Sequence, residues 1–192
     1  MPSPRERMVI SAALLIRERG AQATAIADVL EHSGAPRGSA YHYFPGGRAQ
    51  LLREAVDYAA EFMAAKLAQA STTLAALDEL FGNYREQLQR SGFRAGCPVV
   101  AVAVEAGEPD RKEQSAELLD RAGAAFTRWR SALADLLTGD GVPAPHAAAI
   151  ATLVLSSFEG AIVLARATRD VEPLDQVHAQ LRSLIAAESR HH

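Results

Sequence analysis

Six side chains that can hydrogen-bond to nucleic acid lie within one twelve-residue stretch: Arg37, Ser39, Tyr41, His42, Tyr43 and Arg48. An arginine can bond both acceptor atoms of a guanine, and serine, histidine and tyrosine can bond to base edges or phosphate oxygens. We predict that Arg37, Ser39 and His42 contact bases. The two tyrosines and Arg48 are predicted to contact phosphates.

Two short helices joined by a tight turn would present these side chains. Ile26, Val29 and Leu30 have the spacing of one buried helical face, and Thr24 is a good N-cap for that helix. Gly34 can adopt the left-handed conformation that ends a helix. Pro36 fits the first turn of a second helix, because a missing N–H costs nothing there.

The second helix is expected to end before the breaker cluster Pro45-Gly46-Gly47 and to turn Ala40 and Phe44 inward. A short helix after a tight turn has the right size to enter a DNA major groove. The alternative is a helical hairpin inside a bundle, with its aromatic side chains half buried.

The first 55 residues resemble the DNA-binding domain of TetR-type repressors. The resemblance is carried by Arg5-Glu6-Arg7, Gly20, Thr24, Ala27-Asp28-Val29, Gly34, Arg37-Gly38-Ser39, Tyr41-His42-Tyr43-Phe44-Pro45 and Leu51. It adds Thr24 to the predicted DNA-contacting residues. The turn at 35–39, the exit at 44–48 and the later Gly96-Cys97-Pro98 are most similar to the LmrA/YxaF-like subgroup.

One departure from this family follows Pro45. The family usually has Ser-Lys there, with the lysine on a phosphate, whereas this chain has Gly46-Gly47-Arg48 and is one residue longer. We expect Arg48 to take the role of the lysine.

Charge is unevenly divided along the 192 residues, whose net charge is −3. Residues 1–55 carry seven arginines and five acidic residues, whereas residues 56–192 carry 13 basic and 18 acidic residues. A mildly basic segment attached to an acidic body suits sequence-specific DNA binding better than a general nucleic-acid coat. So small an excess of basic over acidic residues in the first segment could also arise by chance.

Composition and periodicity predict an all-α protein of about nine helices. Alanine is frequent, and long apolar stripes of helical period recur after residue 48. The apolar segment Val99–Ala106 is compatible with a strand, but no partner strand is available, so we predict a short buried helix. We divide the chain into a helix-turn-helix domain at 1–50 and a ligand-binding and dimerisation domain at 51–192.

The last two predicted helices carry more apolar surface than packing on one side requires. We therefore predict a homodimer through residues 146–187, in which two helices from each copy form a four-helix bundle. The alternative is that these helices only cap the monomer core. The resemblance supports the dimer, and a two-fold axis would suit a palindromic operator in double-stranded DNA.

The resemblance also implies a cavity for a small-molecule effector, predicted to be apolar or aromatic, in residues 56–170. Its candidate lining residues are Phe62, Phe81, Tyr84, Cys97, Val100, Val104, Phe126, Trp129, Phe158, Glu159 and Ile162. A few polar groups among aromatics are typical of such sites. For any single residue, ordinary core packing is the competing interpretation.

No catalytic motif, metal site or cofactor site is predicted. Phosphate-binding loops, zinc motifs and nucleophile elbows are missing from the sequence, and Cys97 is the only cysteine. A buried structural thiol is favoured for Cys97 over a redox sensor.

The sequence thus predicts a cytoplasmic repressor that a small molecule releases from its operator. No signal peptide is recognisable, and no continuous apolar run reaches the roughly 18 residues of a membrane span. The alternative is a small-molecule-binding helical dimer or an enzyme with a non-functional DNA-binding head. An activator and a purely structural dimer are weaker alternatives.

Overall fold

The computed structural model describes residues 2–105 and 112–189, and within these ranges the chain forms nine helices and no strand. The helices are α1 (Pro4–Arg19), α2 (Ile26–Ser33), α3 (Ser39–Tyr43), α4 (Gly47–Gln69), α5 (Thr73–Arg90), α6 (Pro98–Glu105), α7 (Lys112–Gly139), α8 (Ala144–Thr168) and α9 (Glu172–Glu188). This confirms the all-α prediction. The expected stop at Gly107-Glu108-Pro109 and the expected start of α7 at Asp110 lie outside the described residues.

Helix α1 begins with reciprocal capping. The Ser3 hydroxyl accepts a hydrogen bond from the Glu6 N–H at 3.2 Å, and the Glu6 carboxylate accepts one from the Ser3 N–H at 2.7 Å. These two bonds satisfy backbone donors that the first turn leaves without helical partners. The helix ends at Gly20, whose φ is 90°.

Two details of the helix-turn-helix prediction are wrong. Helix α2 begins one residue later than expected, because Ala25 occupies the N-cap position and its N–H donates to Asp28 Oδ2 at 3.2 Å. Thr24 is buried, and its hydroxyl donates to the Gly20 carbonyl at 2.7 Å. Pro36 lies before α3 rather than in its first turn, and its carbonyl accepts from the Ser39 N–H at 2.9 Å.

The valine-rich segment after Cys97 is helical, as predicted. Pro98 stands at the start of α6, where its missing N–H leaves no helical bond unmade. Val99 and Val102 are buried, whereas Val104 is 76% exposed. One face of this short helix therefore packs against the protein, and the other reaches solvent.

The chain divides into two compact units. The first comprises Met1–Phe62 and Cys97–Ala125, and the second comprises Met63–Gly96 and Phe126–His192. The core of the first unit includes Met8, Ile16, Val29, Phe44, Leu51 and Leu52. That of the second includes Leu77, Leu88, Trp129, Leu137, Ile162 and Ile185.

Helix α8 is strongly apolar, although polar residues interrupt its apolar runs. It has 25 residues, its most apolar 18-residue window has a mean hydropathy of 1.9, and 44% of that window is buried. By length and composition it could cross a membrane, but the core helix of a folded domain meets the same criteria. Its exposed large apolar side chains are Leu153, Val163 and Leu164.

Candidate nucleic-acid interface

Helix α3 has a polar, exposed side and a buried side. Tyr41 is 71% exposed, and Arg37 and His42 are also exposed. Ala40 and Phe44 are each only 1% exposed, so the predicted inward positions are confirmed. Helix α3 has five residues and could not be stable alone. The burial of Ala40 and Phe44 therefore holds it in place with its polar face outward.

The anchor at Phe44 is reinforced by Arg5 from α1. The Arg5 guanidinium carbon lies 5.2 Å from the centre of the Phe44 ring, within the range of a cation–π contact. Arg5 also donates to Glu54 of α4 at 2.7 Å. One arginine therefore connects the end of α3 with α1 and α4.

The half-buried Ser39 and Tyr43 are partly engaged within the protein. The Ser39 hydroxyl donates to the Pro36 carbonyl at 2.7 Å. In this arrangement the hydroxyl can accept a hydrogen bond from a base, and it can donate one only if the bond to Pro36 breaks. Tyr43 packs edge-on against His42, with ring centres 5.1 Å apart. The base and phosphate contacts assigned to α3 stay predictions.

Two of the predicted DNA-contacting residues make structural bonds instead of facing solvent. Thr24 is 1% exposed. Arg48 is half-buried, and its guanidinium donates to the backbone carbonyls of Ala21, Gln22 and Thr24. Sequence alone did not show the bonds of Arg48, because their acceptors are main-chain atoms more than twenty residues earlier.

The candidate effector-binding residues fall in both compact units. Phe62, Cys97, Val100 and Val104 belong to the first unit, where Phe62 is 54% exposed and Cys97 is buried. The other seven belong to the second unit: Phe81, Tyr84, Phe126, Trp129, Phe158, Glu159 and Ile162.

The second unit brings several of these aromatic side chains into contact. The Phe158 ring lies edge-on to both Phe81 and Tyr84, at centre distances of 4.9 and 5.1 Å. Phe126 and Trp129 form a similar pair at 5.6 Å on α7. Glu159 is 9% exposed and follows Phe158 on α8. A buried carboxylate on the same helix as part of this cluster can contribute polarity to an apolar site.

The structure adds a group that sequence reasoning did not assign. The His178 ring of α9 stacks on Phe81, with ring centres 4.7 Å apart, and its Nε2 lies 2.9 Å from Asp78 Oδ1. Arg182 also donates to Asp78. Its hydrogen bond, supported by that of His178, lowers the pKa of the Asp78 carboxyl. A hundred residues separate Asp78 from His178, so local spacing contains no signal for this cluster.

Two open clefts occur on the second unit. One, of about 630 Å³, is lined by Gly92, Phe93, Arg94, Val163, Arg166, Ala167 and Arg169. The other, of about 520 Å³ between α8 and α9, is lined by Leu153, Ser157, Gln176, Val177, Gln180, Leu181 and Leu184. Neither contains a predicted effector-binding residue. The described part of the chain also shows no group of three or more potential metal ligands.

Two known protein families match different parts of this helical chain. Residues 10–55 match the family described as "Bacterial regulatory proteins, tetR family". Residues 73–180, more than half of the chain, match "Transcriptional regulator LmrA/YxaF-like, C-terminal domain". The chain belongs to the TetR family.

Full-length relatives agree with this assignment. An uncharacterized HTH-type transcriptional regulator of Mycobacterium tuberculosis strain H37Rv is 59% identical over 188 residues, covering 98% of this chain and 97% of the relative. The HTH-type transcriptional regulator LmrA of Bacillus subtilis is 28% identical and covers 94% of this chain and 96% of its own. This TetR-family chain is therefore a transcriptional regulator and not an enzyme.

Solved structures show the same fold. A TetR transcriptional regulator from Chloroflexus aurantiacus superposes with a TM-score of 0.73 at 29% identity, covering 95% of this chain and 94% of that one. The regulatory protein TetR from Rhodobacter sphaeroides gives 0.76 at 24% identity, with coverage of 94% and 98%. Regulators of this family bind operator DNA and act as dimers, with ligands bound in the C-terminal domain.

Proposed function

We propose that this TetR-family regulator is a homodimeric, cytoplasmic repressor that binds a palindromic operator and is released by a small-molecule effector. Residues 1–50 would supply the DNA-binding domain, and residues 51–192 would bind the effector and dimerise. A population shift explains release: an effector with higher affinity for the non-binding arrangement lowers the population that fits DNA.

The observation that carries DNA binding is the two-sided character of α3. Its buried residues Ala40 and Phe44 fix the helix, while Arg37, Tyr41 and His42 remain in solvent. Exposed aromatic and cationic side chains on this short helix and in the turn before it offer hydrogen bonds and stacking contacts to a groove rather than to a protein core.

The apolar outer face of α8 supports dimerisation through residues 146–187. Leu153, Val163 and Leu164 are 49%, 52% and 53% exposed, and the groove beside Leu153 is formed with α9. Large apolar side chains left in solvent along one helix are typical of a protein–protein interface. A second copy offers the same surface and closes it by two-fold symmetry.

The aromatic cluster of the second unit supports an apolar or aromatic effector. Phe81, Tyr84 and Phe158 provide ring edges and faces, and Glu159 adds a carboxylate. All eleven predicted residues stay candidates, and among those of the second unit this cluster is the best-defined group. A thermal-shift screen of planar and cationic compounds tests this, because a ligand that binds only the native state raises the unfolding temperature.

DNA binding is tested by fluorescence anisotropy with DNA from upstream of the protein's own gene, at two salt concentrations. We expect saturable binding to one short segment. Binding should weaken as salt rises, because the release of counterions from the contacted phosphates is less favourable in more concentrated salt. Shuffled DNA of the same length serves as the control. Equal binding to shuffled and native DNA, or no binding at either salt, would contradict the proposal.

A further inference from the structure

Residues 20–24, between α1 and the N-cap of α2, are held by two charged side chains from other helices; we refer to this segment as the α1–α2 loop. Glu105, the last residue of α6, contacts it from one side. Glu105 Oε2 accepts hydrogen bonds from the N–H groups of Ala21, at 2.8 Å, and Gln22, at 3.1 Å. Both bonds lie within the first compact unit.

Arg48, near the start of α4, bonds to the carbonyl groups of the same loop. Its Nη2 donates to Ala21 O at 2.5 Å and to Gln22 O at 3.0 Å, and its Nε donates to Thr24 O at 2.8 Å. The planar guanidinium suits this task because it directs several N–H groups from one rigid fork.

Two consecutive residues therefore have both backbone groups bonded to ionised side chains. Ala21 and Gln22 give their N–H groups to a carboxylate and their carbonyl groups to a guanidinium. Hydrogen bonds of this kind are roughly twice as strong as bonds between neutral groups. In the peptide unit between these two residues, the anion faces the positive N–H end of the dipole and the cation faces the negative carbonyl end.

The local backbone is shaped to admit the carboxylate. Gly20 has φ of 90°, which side-chain-bearing residues rarely adopt, and a Cβ at this position would collide with Glu105 Oε1.

We propose that Glu105 and Arg48 are positioning residues for DNA binding, which hold the α1–α2 loop and through it the orientation of α2 and α3. This rests on the proposed DNA-binding function. Because Glu105 is on α6, inside the region that matches the LmrA/YxaF-like C-terminal domain, a displacement of α6 withdraws the carboxylate from the loop. The bonds to Ala21 and Gln22 thereby connect that domain to the DNA-reading helices.

The test for Glu105 compares Glu105→Ala, Glu105→Gln and the control Glu86→Ala in the full-length protein. Glu86→Ala removes the same charge from the exposed surface of α5. Operator affinity is measured by anisotropy, and exchange of the Ala21 and Gln22 amide hydrogens is followed by NMR. We expect Glu105→Ala to weaken operator binding about tenfold and to accelerate both exchange rates, since two charge-assisted bonds are lost.

Glu105→Gln retains an oxygen acceptor and should fall between the parent protein and Glu105→Ala in both measurements. Parent-like binding by Glu105→Ala, or unchanged exchange at both amides in either variant, would overturn the role of Glu105. If the parent protein binds no DNA, the proposed function fails instead. If Glu105→Ala does not fold, Glu105→Gln alone decides, because it preserves the volume and the acceptor.

The test for Arg48 is Arg48→Lys, with operator affinity measured across a salt series. A phosphate-contacting arginine tolerates lysine, so affinity and salt slope would then stay near those of the parent protein. A positioning role requires the fork, so we expect roughly fivefold or greater weakening with an unchanged salt slope. Parent-like affinity would overturn the assignment of Arg48.

Discussion

Helices α3 and α8 both leave large side chains in solvent, but the two exposed faces differ in chemistry. Tyr41 on α3 is 71% exposed and lies among an arginine and a histidine, whereas Leu153, Val163 and Leu164 on α8 are purely apolar. The first face can satisfy the hydrogen-bonding groups of a polar partner. The second gains free energy only by leaving water.

The helices also differ in what keeps them folded. Helix α3 has five residues and depends on two buried side chains, Ala40 and Phe44. Helix α8 has 25 residues and a buried stripe that includes Val154, Phe158 and Ile162. We infer that a single substitution of a buried residue can unfold α3 and with it the DNA-reading face. A substitution on the exposed face of α8 should alter that surface and leave the helix folded.

The largest expected effect comes from removing the anchor of α3. Phe44→Ala should lower the free energy of unfolding by about 3–5 kcal/mol, because it deletes a fully buried ring and leaves a cavity. Operator binding should be lost with it. Chemical denaturation followed by circular dichroism measures stability. Phe62→Ala is the matched control, since Phe62 is 54% exposed and its truncation should cost far less. Equal losses in the two variants would contradict the role of Phe44.

The next largest effect is expected at the exposed apolar face of α8. Val163→Arg should weaken dimerisation by more than about a hundredfold, because an unpaired charge would be buried in the proposed interface. Light scattering after size exclusion measures the oligomeric state. Val104→Arg is the control, because Val104 is 76% exposed on α6. A Val163→Arg protein that stays dimeric would remove α8 from the interface.

The two faces were predictable from sequence for different reasons. The α3 face was predictable because Gly34 and Pro45 limit the two helices locally and its polar residues are consecutive. The exact start of α3 was not, since Pro36 lies before the helix. The apolar character of α8 was predictable from its composition. The helical state of the valine-rich α6 was confirmed as well, because the absence of any partner strand was stronger evidence than local propensity.

The features that sequence did not reveal depend on contacts between distant residues. Glu105 and Arg48 both bond to main-chain atoms of the α1–α2 loop, and backbone acceptors and donors leave no residue pattern to recognise. Thr24 was misassigned as an N-cap because its hydroxyl has a competing acceptor four residues earlier. The stacking of His178 on Phe81 likewise requires the packed fold.

A smaller effect on operator binding is expected from truncating the exposed Arg37. Arg37→Ala should reduce operator affinity by about 1–3 kcal/mol and relax sequence preference at one base position, if Arg37 contacts a base edge. Stability should hardly change because Arg37 is exposed. Binding to a set of single-base operator variants gives the measurement. Arg90→Ala, at an exposed arginine of α5, is the control. Uniform weakening across all operator variants would instead place Arg37 on a phosphate.

The smallest expected effect concerns the stability of the contact between α5 and α9 in acid. The hydrogen bonds of Arg182 and His178 lower the pKa of Asp78 from its usual value of 3.8. A carboxylate with a depressed folded-state pKa stabilises the fold above the unfolded-state value, and that contribution is lost as pH falls through the folded-state pKa. Asp78→Asn should therefore be less stable than the parent protein at neutral pH, and this difference should shrink below the usual pKa. Unfolding temperatures across a pH series test this, with the exposed Asp135→Asn as control. A constant difference across the series would mean that the charge of Asp78 does not stabilise the contact between α5 and α9.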